Sequence, residues 1–354
     1  MLFGYVEDGS YNILNSDQED PILHAAYYFG TNEDGARHSG WLQYTDALTD
    51  HDDDYYWFYF NTSNGKKVAG TTKSVNGKKY SFDSEGIMNF KWGVSTFGNT
   101  TGTAWYGKLE DGSLAKNQWI WNKPYSDAVI NAQDVEDETE RWFRTDASGQ
   151  LIKGHTKKVN GKWYAFDEEG VMKTGLIRLS KASVSGAAVA AANCDDLDDV
   201  TGAEVKTALT DTCSVEEAGK LHYFSDDEEK DGSMKTGTMK LELADDEYTF
   251  CFTKTTGAAK HGFDSSSKKV YNNGILLKAG DDRYCVVRDA ATGTEYLVGS
   301  TGNIVKAVNK YKDANDAYFI IGQDKNIYYT TDEEAAKKAV KGDYSGVTPA
   351  HATK

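Results

Sequence analysis

The feature that most constrains the fold of this chain is an internal repeat. Residues 76–88 (NGKKYSFDSEGIM) align without a gap on residues 160–172 (NGKWYAFDEEGVM), at an offset of 84 residues. The same offset carries Gly65 onto Gly149, and it indicates that segments 57–60 and 141–144 correspond. With similar segments upstream, two copies of a block of three short units fill roughly residues 27–175. A fixed period of this kind predicts an array of stacked units rather than one large core.

Each unit has the pattern of a β-hairpin. In residues 162–167 the side chains alternate, so that Tyr164 and Phe166 share one face of a strand. The turn that follows contains Gly170, which tolerates the positive φ that a tight turn needs. A lone two-stranded hairpin is barely stable in water, so the units must stack to bury their rings. The sequence therefore predicts an all-β fold, a repetitive β-hairpin solenoid.

Two segments interrupt the repeat. Residues 180–217 are rich in Ala and Ser and then acidic, which favours an insertion. Residues 331–342 contain a Thr-x-x-Glu capping box, Glu333/Lys337 and Glu334/Lys338 pairs and a terminal glycine, so we expect a short helix there. The predicted organisation is an N-terminal lead-in at 1–21, Trp-rich repeats at 22–179, the insertion at 180–217, divergent repeats at 218–330, and a capping helix with a tail at 331–354.

Composition and the absence of known motifs narrow the function. The net charge of −16 argues against a nucleic-acid binder, because neutralising phosphates needs clustered cations. No apolar run approaches the roughly 18–20 residues that cross a bilayer. Residues 1–20 also lack a basic segment followed by an apolar one, so an exported chain is expected to have lost its signal peptide. Hydrolase, metalloprotease and phosphate-loop motifs are not found, so we expect no enzyme, no metal and no cofactor.

The repeated units carry a family resemblance. Units that combine Gly-Trp with Asn-Gly-Lys-Trp-Tyr-x-Phe-Asp-x-x-Gly-x-Met resemble the cell-wall-binding repeats of Gram-positive surface proteins, which include choline-binding modules and glucan-binding repeats. The resemblance covers most of residues 22–330 and is strongest at 55–92 and 140–176. It implies a secreted or cell-surface protein that binds teichoic-acid choline or a glycan. It also implies that rings of neighbouring hairpins cage the ligand, each ring contributing about 0.5–2 kcal/mol to binding of a quaternary ammonium.

Carried over residue by residue, the resemblance identifies three junctions at which tryptophans would face each other. The departures from the family pattern begin at Gly154, which is followed by His155 instead of Trp, and at Gly175, which is followed by Leu176. Rings inside the repeat, such as Tyr80, are expected to be core residues first. The candidate ligand-binding residues are the pairs Trp41 and Trp57, Trp92 and Trp105, and Trp119 and Trp142, one pair at each of the three junctions, together with Trp163.

The junction of Trp92 with Trp105 is expected to be the most competent for a ligand. Residues 93–104 between them are mostly small and polar, with little to bury, so this segment should run over the surface and leave both indoles beside an open groove. Tyr106 would point to the opposite face and anchor the core. The junction of Trp41 with Trp57 is the next candidate.

Two functions of different classes remain open. The first is a non-catalytic module that binds a cell-wall polymer or glycan through aromatic platforms in residues 22–179, since all eight Trp lie at or before residue 163. The second is a structural or adhesin role in which the repeats present an acidic surface to a host or neighbouring protein. Cys194, Cys213, Cys251 and Cys285 allow three disulfide connectivities, and a buried thiol is the simpler interpretation for the last two.

Overall fold

The structure is a computed structural model, and it describes residues 2–14, 18–125, 139–180, 184, 220–226, 232–243 and 246–352. The chain divides into two compact units, Met1–Ile152 and Lys153–Lys354. Apart from residues 180 and 184, the predicted insertion at 180–217 lies outside the described residues, as do Cys194 and Cys213. The predicted domain boundaries therefore stay a prediction.

The first unit is a succession of antiparallel two-stranded sheets. Strands pair in chain order, β1 with β2 and so on to β9 with β10. A four-residue helix, α1 (Pro21–His24), precedes β2. The strands are β1 Tyr5–Val6, β2 Tyr27–Tyr28, β3 Gly40–Tyr44, β4 Tyr56–Phe60, β5 Thr72–Val75, β6 Lys78–Ser81, β7 Trp92–Phe97, β8 Thr100–Trp105, β9 Trp119–Asn122 and β10 Arg141–Arg144.

The same geometry recurs where successive hairpins of this unit meet. The chain turns after the second strand of each hairpin. A residue just after this turn, which we call the return residue, donates its backbone N–H to a carbonyl of the preceding hairpin. The four donor–acceptor distances are 2.7–2.8 Å. Because each bond satisfies a backbone pair that would otherwise be buried unpaired, it fixes the stacking of one hairpin on the next. The return residues and their acceptors are Lys67 to Ala26, Met88 to Trp57, Leu114 to Lys79 and Leu151 to Thr103.

Aspartates stabilise several of the turns predicted from the Asp-x-x-Gly pattern. The Asp83 carboxylate accepts hydrogen bonds from the backbone N–H groups of Glu85 and Ile87, at 3.0 and 2.8 Å. Gly86 in this turn has φ +91°, a conformation that side chains with a Cβ rarely adopt. The Asx-type turn is thus the local device that reverses the chain between hairpins.

Strand register corrects one detail of the repeat. Trp57 pairs with Gln43 in β3–β4, and Trp142 pairs with Trp121 at the matching place in β9–β10. Trp57 therefore corresponds to Trp142, at an offset of 85 residues rather than the predicted 84. The physical reason is a turn that is one residue shorter, since Phe60 bridges to Lys67 whereas Thr145 bridges to Leu151.

The second unit has larger antiparallel sheets. Its sheets contain three, three, five, three and four strands, and a 3-10 helix spans Gly280–Asp282. The strands are β11 Thr156–Val159, β12 Lys162–Phe166, β13 Met172–Lys173, β14 Gly175–Arg178, β15 Leu221–Phe224, β16 Met234–Lys235, β17 Gly237–Leu243, β18 Asp246–Phe252, β19 Gly262–Asp264, β20 Lys269–Asn272, β21 Ile275–Leu276, β22 Tyr284–Arg288, β23 Glu295–Gly299, β24 Ile304–Val305, β25 Asn309–Lys312, β26 Tyr318–Ile321, β27 Ile327–Thr330 and β28 Thr348–Pro349.

The predicted C-terminal helix is present as α2 (Glu333–Val340), with one change in its cap. Asp332, not Thr331, is the N-cap, and its carboxylate accepts from the N–H groups of Glu334 and Ala335. The predicted pair of Glu333 with Lys337 is present, at 3.4 Å. Lys337 also contacts Glu334 at 2.7 Å, although Glu334 was expected to pair with Lys338.

The all-β repeat fold with a C-terminal helix is therefore confirmed. Cys251 carries a buried free thiol, and Cys285 is buried in β22. Within the described part of the chain, no helix is long and apolar enough to span a membrane.

Candidate functional site

The clearest candidate site lies where hairpin β3–β4 meets hairpin β5–β6. Trp41 pairs with Tyr59 across β3–β4, and Trp57 lies two residues before Tyr59, so both indoles project from the same face of the hairpin. Their ring centroids are 6.1 Å apart and the rings are nearly perpendicular, at 87°. The structure thus places the predicted pair Trp41 and Trp57 together, each half-buried.

The next hairpin supplies a third ring. The centroid of Tyr80, on β6, lies 4.8 Å from that of Trp41, at an interplanar angle of 72°. Burial raises the pKa of the Tyr80 phenol, although Lys78 acts in the opposite direction, so the ring stays neutral at physiological pH. Tyr80 is buried, as expected for a core residue, but it also lines the cavity that the two tryptophans border.

These three rings border a cavity of about 220 Å³ that Met88, Glu110 and Asp111 also line. Met88 is the return residue of its hairpin, and its N–H donates to the Trp57 carbonyl at 2.8 Å, which holds the thioether beside the rings. We call the six residues Trp41, Trp57, Tyr80, Met88, Glu110 and Asp111 the aromatic cage. The sequence reasoning missed Met88 and the two carboxylates, because they come from turns rather than from the aromatic strands.

The rim of the aromatic cage is negatively charged. Glu110 and Asp111 are exposed in the turn that follows β8. Asp111 pairs with Lys78 at 2.9 Å and accepts from the Ser113 hydroxyl at 2.9 Å, whereas Glu110 lies beside Tyr55. Burial is the main cause that raises the pKa of Tyr55, and the negative charge of Glu110 raises it further. Of the three charges, two are negative and one is positive, so the rim favours a cationic ligand.

The junction of Trp92 with Trp105 differs from its prediction. Residues 93–104 form most of the hairpin β7–β8, in which Trp92 and Trp105 are cross-strand partners, and residues 96–101 at its tip are exposed, as expected of a surface segment. Trp92 is completely buried and its ring lies 5.0 Å from that of Phe143. The expected open groove between the two indoles is therefore wrong, because Trp92 packs as a core ring. As predicted, Tyr106 is buried, and its hydroxyl donates to the Val94 carbonyl at 2.7 Å.

The predicted pair Trp119 and Trp142 is also brought together, on one face of β9–β10. Their centroids are 6.3 Å apart at 88°, almost the geometry of Trp41 and Trp57. The Arg144 guanidinium lies over the Trp119 ring, 5.1 Å from its centroid. Trp121, which the sequence reasoning did not single out, lies 5.1 Å from Trp142 and remains 49% exposed. A tryptophan two residues after a candidate on the same strand was the available signal.

Trp163 packs in a different environment from the other candidates. It is half-buried on β12 in the second unit, against an apolar cluster that includes Ile177 and Phe224. This contact gives Trp163 a structural role, and its ligand-binding role stays a prediction.

Other parts of the described chain offer weaker sites. A cavity of about 400 Å³ in the second unit is lined mainly by aliphatic residues, among them Leu297, Ile304 and Ile321, with Tyr296 as its one ring. No group of three or more His, Cys, Asp or Glu side chains is placed to hold a metal ion within the described ranges.

Comparison with known proteins identifies similar folds at low sequence identity. No protein-family description matches the chain. No curated protein sequence matches it either. Choline binding protein F from Streptococcus pneumoniae is 19% identical over 85% of this chain and 88% of its own, with a TM-score of 0.46. Its structure in the presence of a peptidoglycan analogue matches at 20% identity over 79% and 83%, with a TM-score of 0.42.

A second pneumococcal protein is also similar. The modular autolysin LytC from Streptococcus pneumoniae is 14% identical over 78% of this chain and 51% of its own, with a TM-score of 0.29.

Proposed function

We propose that this protein is a non-catalytic module that binds choline, carried by a cell-wall polymer, in the aromatic cage. The observation that carries the proposal is the meeting of three rings and two carboxylates around one cavity of about 220 Å³. On this proposal the protein acts outside the cell, where the wall polymer is exposed, as the resemblance of its repeats to cell-wall-binding repeats implies.

The cage is chemically suited to a quaternary ammonium. Perpendicular rings present more than one π-face to the same point, and each face attracts a cation through its quadrupole. Trp41 is nearly perpendicular to Trp57 and steeply inclined to Tyr80. A trimethylammonium cannot donate N–H hydrogen bonds, so it needs ring faces and nearby negative charge rather than directed acceptors. Three rings at about 1–2 kcal/mol each would support a dissociation constant of roughly 1 mM.

The charges of the rim favour choline over a neutral sugar. A sugar that stacks on an indole also needs donors and acceptors for its hydroxyls. The charged groups that line the cavity are both carboxylates, of which Asp111 is already paired with Lys78 and Ser113. The binding of a neutral glycan would leave the charge of Glu110 unused.

The discriminating experiment compares choline with its uncharged isostere, 3,3-dimethyl-1-butanol, by isothermal titration calorimetry of the intact chain. We expect measurable choline binding and at least tenfold weaker binding of the alcohol. The double variant Glu110→Gln/Asp111→Asn should weaken choline about threefold while leaving the alcohol unaffected, because the exposed carboxylates act through a screened field. Equal affinities for choline and the alcohol would exclude a cation cage.

Retention on purified walls tests the polymer itself. We expect Gram-positive walls that carry choline to retain the protein, and free choline to elute it. Walls stripped of teichoic acid should not retain it. Retention that free choline does not reverse would instead favour the adhesin interpretation, in which an acidic surface meets a protein.

A further inference from the structure

The junction between hairpins β1–β2 and β3–β4, which we call the first junction, precedes the aromatic cage and repeats its geometry with different side chains. Phe60 bridges to Lys67 as Phe82 bridges to Met88, and the Lys67 N–H donates to Ala26 as the Met88 N–H donates to Trp57. Lys67 is thus the return residue that corresponds to Met88.

The rings of the cage have counterparts at this junction. Phe58, two residues before Phe60, corresponds to Tyr80, and Tyr5, which pairs with Tyr28, corresponds to Trp41, which pairs with Tyr59. The position of Trp57 is held by Ala26. The first junction therefore keeps two of the three aromatic positions of the cage.

A second contact supports the correspondence of Lys67 with Met88. A Cβ atom placed on Gly86 would lie 2.9 Å from Lys67 Cδ, and one placed on Gly112 would collide with Met88. The turn of the following hairpin thus covers the return residue in the same way at both junctions. The acidic residue before the glycine also recurs, as Glu85 at the first junction and Asp111 at the cage.

The Lys67 ammonium occupies the first junction. Lys67 is only 8% exposed, and its Nζ lies 5.5 Å from the centroid of the Phe58 ring. The Nζ donates to the backbone carbonyls of Ile22 and Leu23 in helix α1, at 2.6 and 2.8 Å. A buried ammonium is costly without partners, and here one ring and two carbonyls surround it, while the charges of Asp83 and Glu85 offset part of the cost of burial.

We propose that the first junction is a cation cage filled by the protein's own ligand, the Lys67 ammonium, and is therefore closed to external choline. The proposal rests on the proposed function only in taking the aromatic cage to be a site for a cation. Lys67 supplies the cation that a ligand would supply at the aromatic cage. Its hydrogen bonds to the carbonyls of Ile22 and Leu23 link helix α1 to the end of hairpin β3–β4. Choline then binds at the aromatic cage and leaves the first junction unchanged.

Chemical rescue tests this proposal. In the background Trp57→Ala, which weakens the aromatic cage, the further change Lys67→Ala leaves a space that n-propylammonium can fill. We expect n-propylammonium chloride to raise the thermal midpoint of Trp57→Ala/Lys67→Ala by about 3 °C at ten times its dissociation constant, and that of Trp57→Ala by less than 1 °C. Sodium chloride at equal ionic strength and n-propanol are the controls for charge screening and for apolar filling.

Met88, the return residue at the aromatic cage, provides a matched control variant. Trp57→Ala/Met88→Ala creates a space at the equivalent return residue, where no internal cation is lost, so n-propylammonium should rescue it no better than n-propanol does. Equal rescue of the Lys67→Ala variant by the amine and the alcohol, or no rescue at all, would overturn the proposal. Because Trp57 is absent throughout, a negative result here leaves the choline titration of the intact cage as an independent test.

A second variant covers the case in which Lys67→Ala does not fold. Trp57→Ala/Lys67→Met keeps an unbranched side chain of similar length without the charge. We expect its thermal midpoint to fall by about 3 °C or more relative to Trp57→Ala, on the scale of roughly 2–4 °C per kcal/mol for chains of 150–250 residues. An unchanged midpoint would show that the ammonium is dispensable and would overturn the proposal.

Discussion

Replacing Trp57 with alanine is the sharpest perturbation of the aromatic cage. Trp57 is half-buried, and its ring meets the edges of Trp41 at 6.1 Å and Tyr55 at 6.5 Å. It supplies one of the three faces presented to the ligand. Loss of one face removes about 1–2 kcal/mol of cation–π energy, so the dissociation constant for choline should rise about 5- to 30-fold.

The same variant should remain folded. The edge-to-face contacts of Trp57 contribute about 0.5–1.5 kcal/mol each beyond their buried area, and the backbone N–H of Met88 still donates to the carbonyl at position 57. A chain of this size has a margin of several kcal/mol. Chemical denaturation should therefore show a cooperative transition with a lower midpoint.

The assay is calorimetric titration of choline into the wild type, Trp57→Ala, Trp57→Phe and Trp163→Ala. Trp57→Phe keeps a ring and should lose less affinity than Trp57→Ala. Trp163→Ala removes an indole of similar exposure that packs on a different cluster, so choline binding should be unchanged. If folded Trp57→Ala binds choline as tightly as the wild type does, the aromatic cage is not the site.

The remaining predictions concern stability. Burial lowers the pKa of Lys67 to about 8, so between pH 8 and 10 the unfolded chain keeps a proton on this residue that the folded chain has lost. The free energy of unfolding should therefore rise by about 2 kcal/mol over this range. In urea titrations Lys67→Met should abolish the rise. Above pH 10 the trend should reverse, because burial raises the pKa of Tyr5 and other tyrosines, and the unfolded chain then loses protons first. Trp92→Ala should cost about 3–5 kcal/mol in urea denaturation, as truncation of a fully buried ring does, and an unfolding midpoint equal to that of the wild type would contradict its core role. Asp332→Ala should cost about 1 kcal/mol in thermal melts by removing the cap of α2, whereas Asp332→Asn should cost little, and equal losses from both would contradict the capping geometry.

The hairpins could be predicted from sequence because their signals are local. The alternation at Tyr164 and Phe166 and the glycine of the following turn define strand and reversal within a few residues. The helix α2 was equally local, but its cap shifted from Thr331 to Asp332, since either side chain can cap and only the backbone course selects one.

The site could be predicted only in part. Trp41 and Trp57 lie on one hairpin, so their proximity follows from strand register. Trp92 lies in a similar hairpin, although Lys91 and not glycine precedes it, yet Phe143 and Tyr125 from later segments pack against it and close the space. Likewise Glu110 reaches the cage from a turn more than fifty residues after Trp57. Which distant residue fills or lines a junction depends on tertiary packing and not on the repeat.

The return-residue bonds bear on how such a chain can gain or lose hairpins. Each links one hairpin to a carbonyl of the preceding hairpin, from Lys67 to Ala26 through Leu151 to Thr103. Because the bond uses backbone atoms alone, a duplicated block of hairpins can be spliced in by recombination with every donor and acceptor still matched. The side chain of the return residue takes no part in the bond and can differ from junction to junction, as Met88 at one and Lys67 at another show.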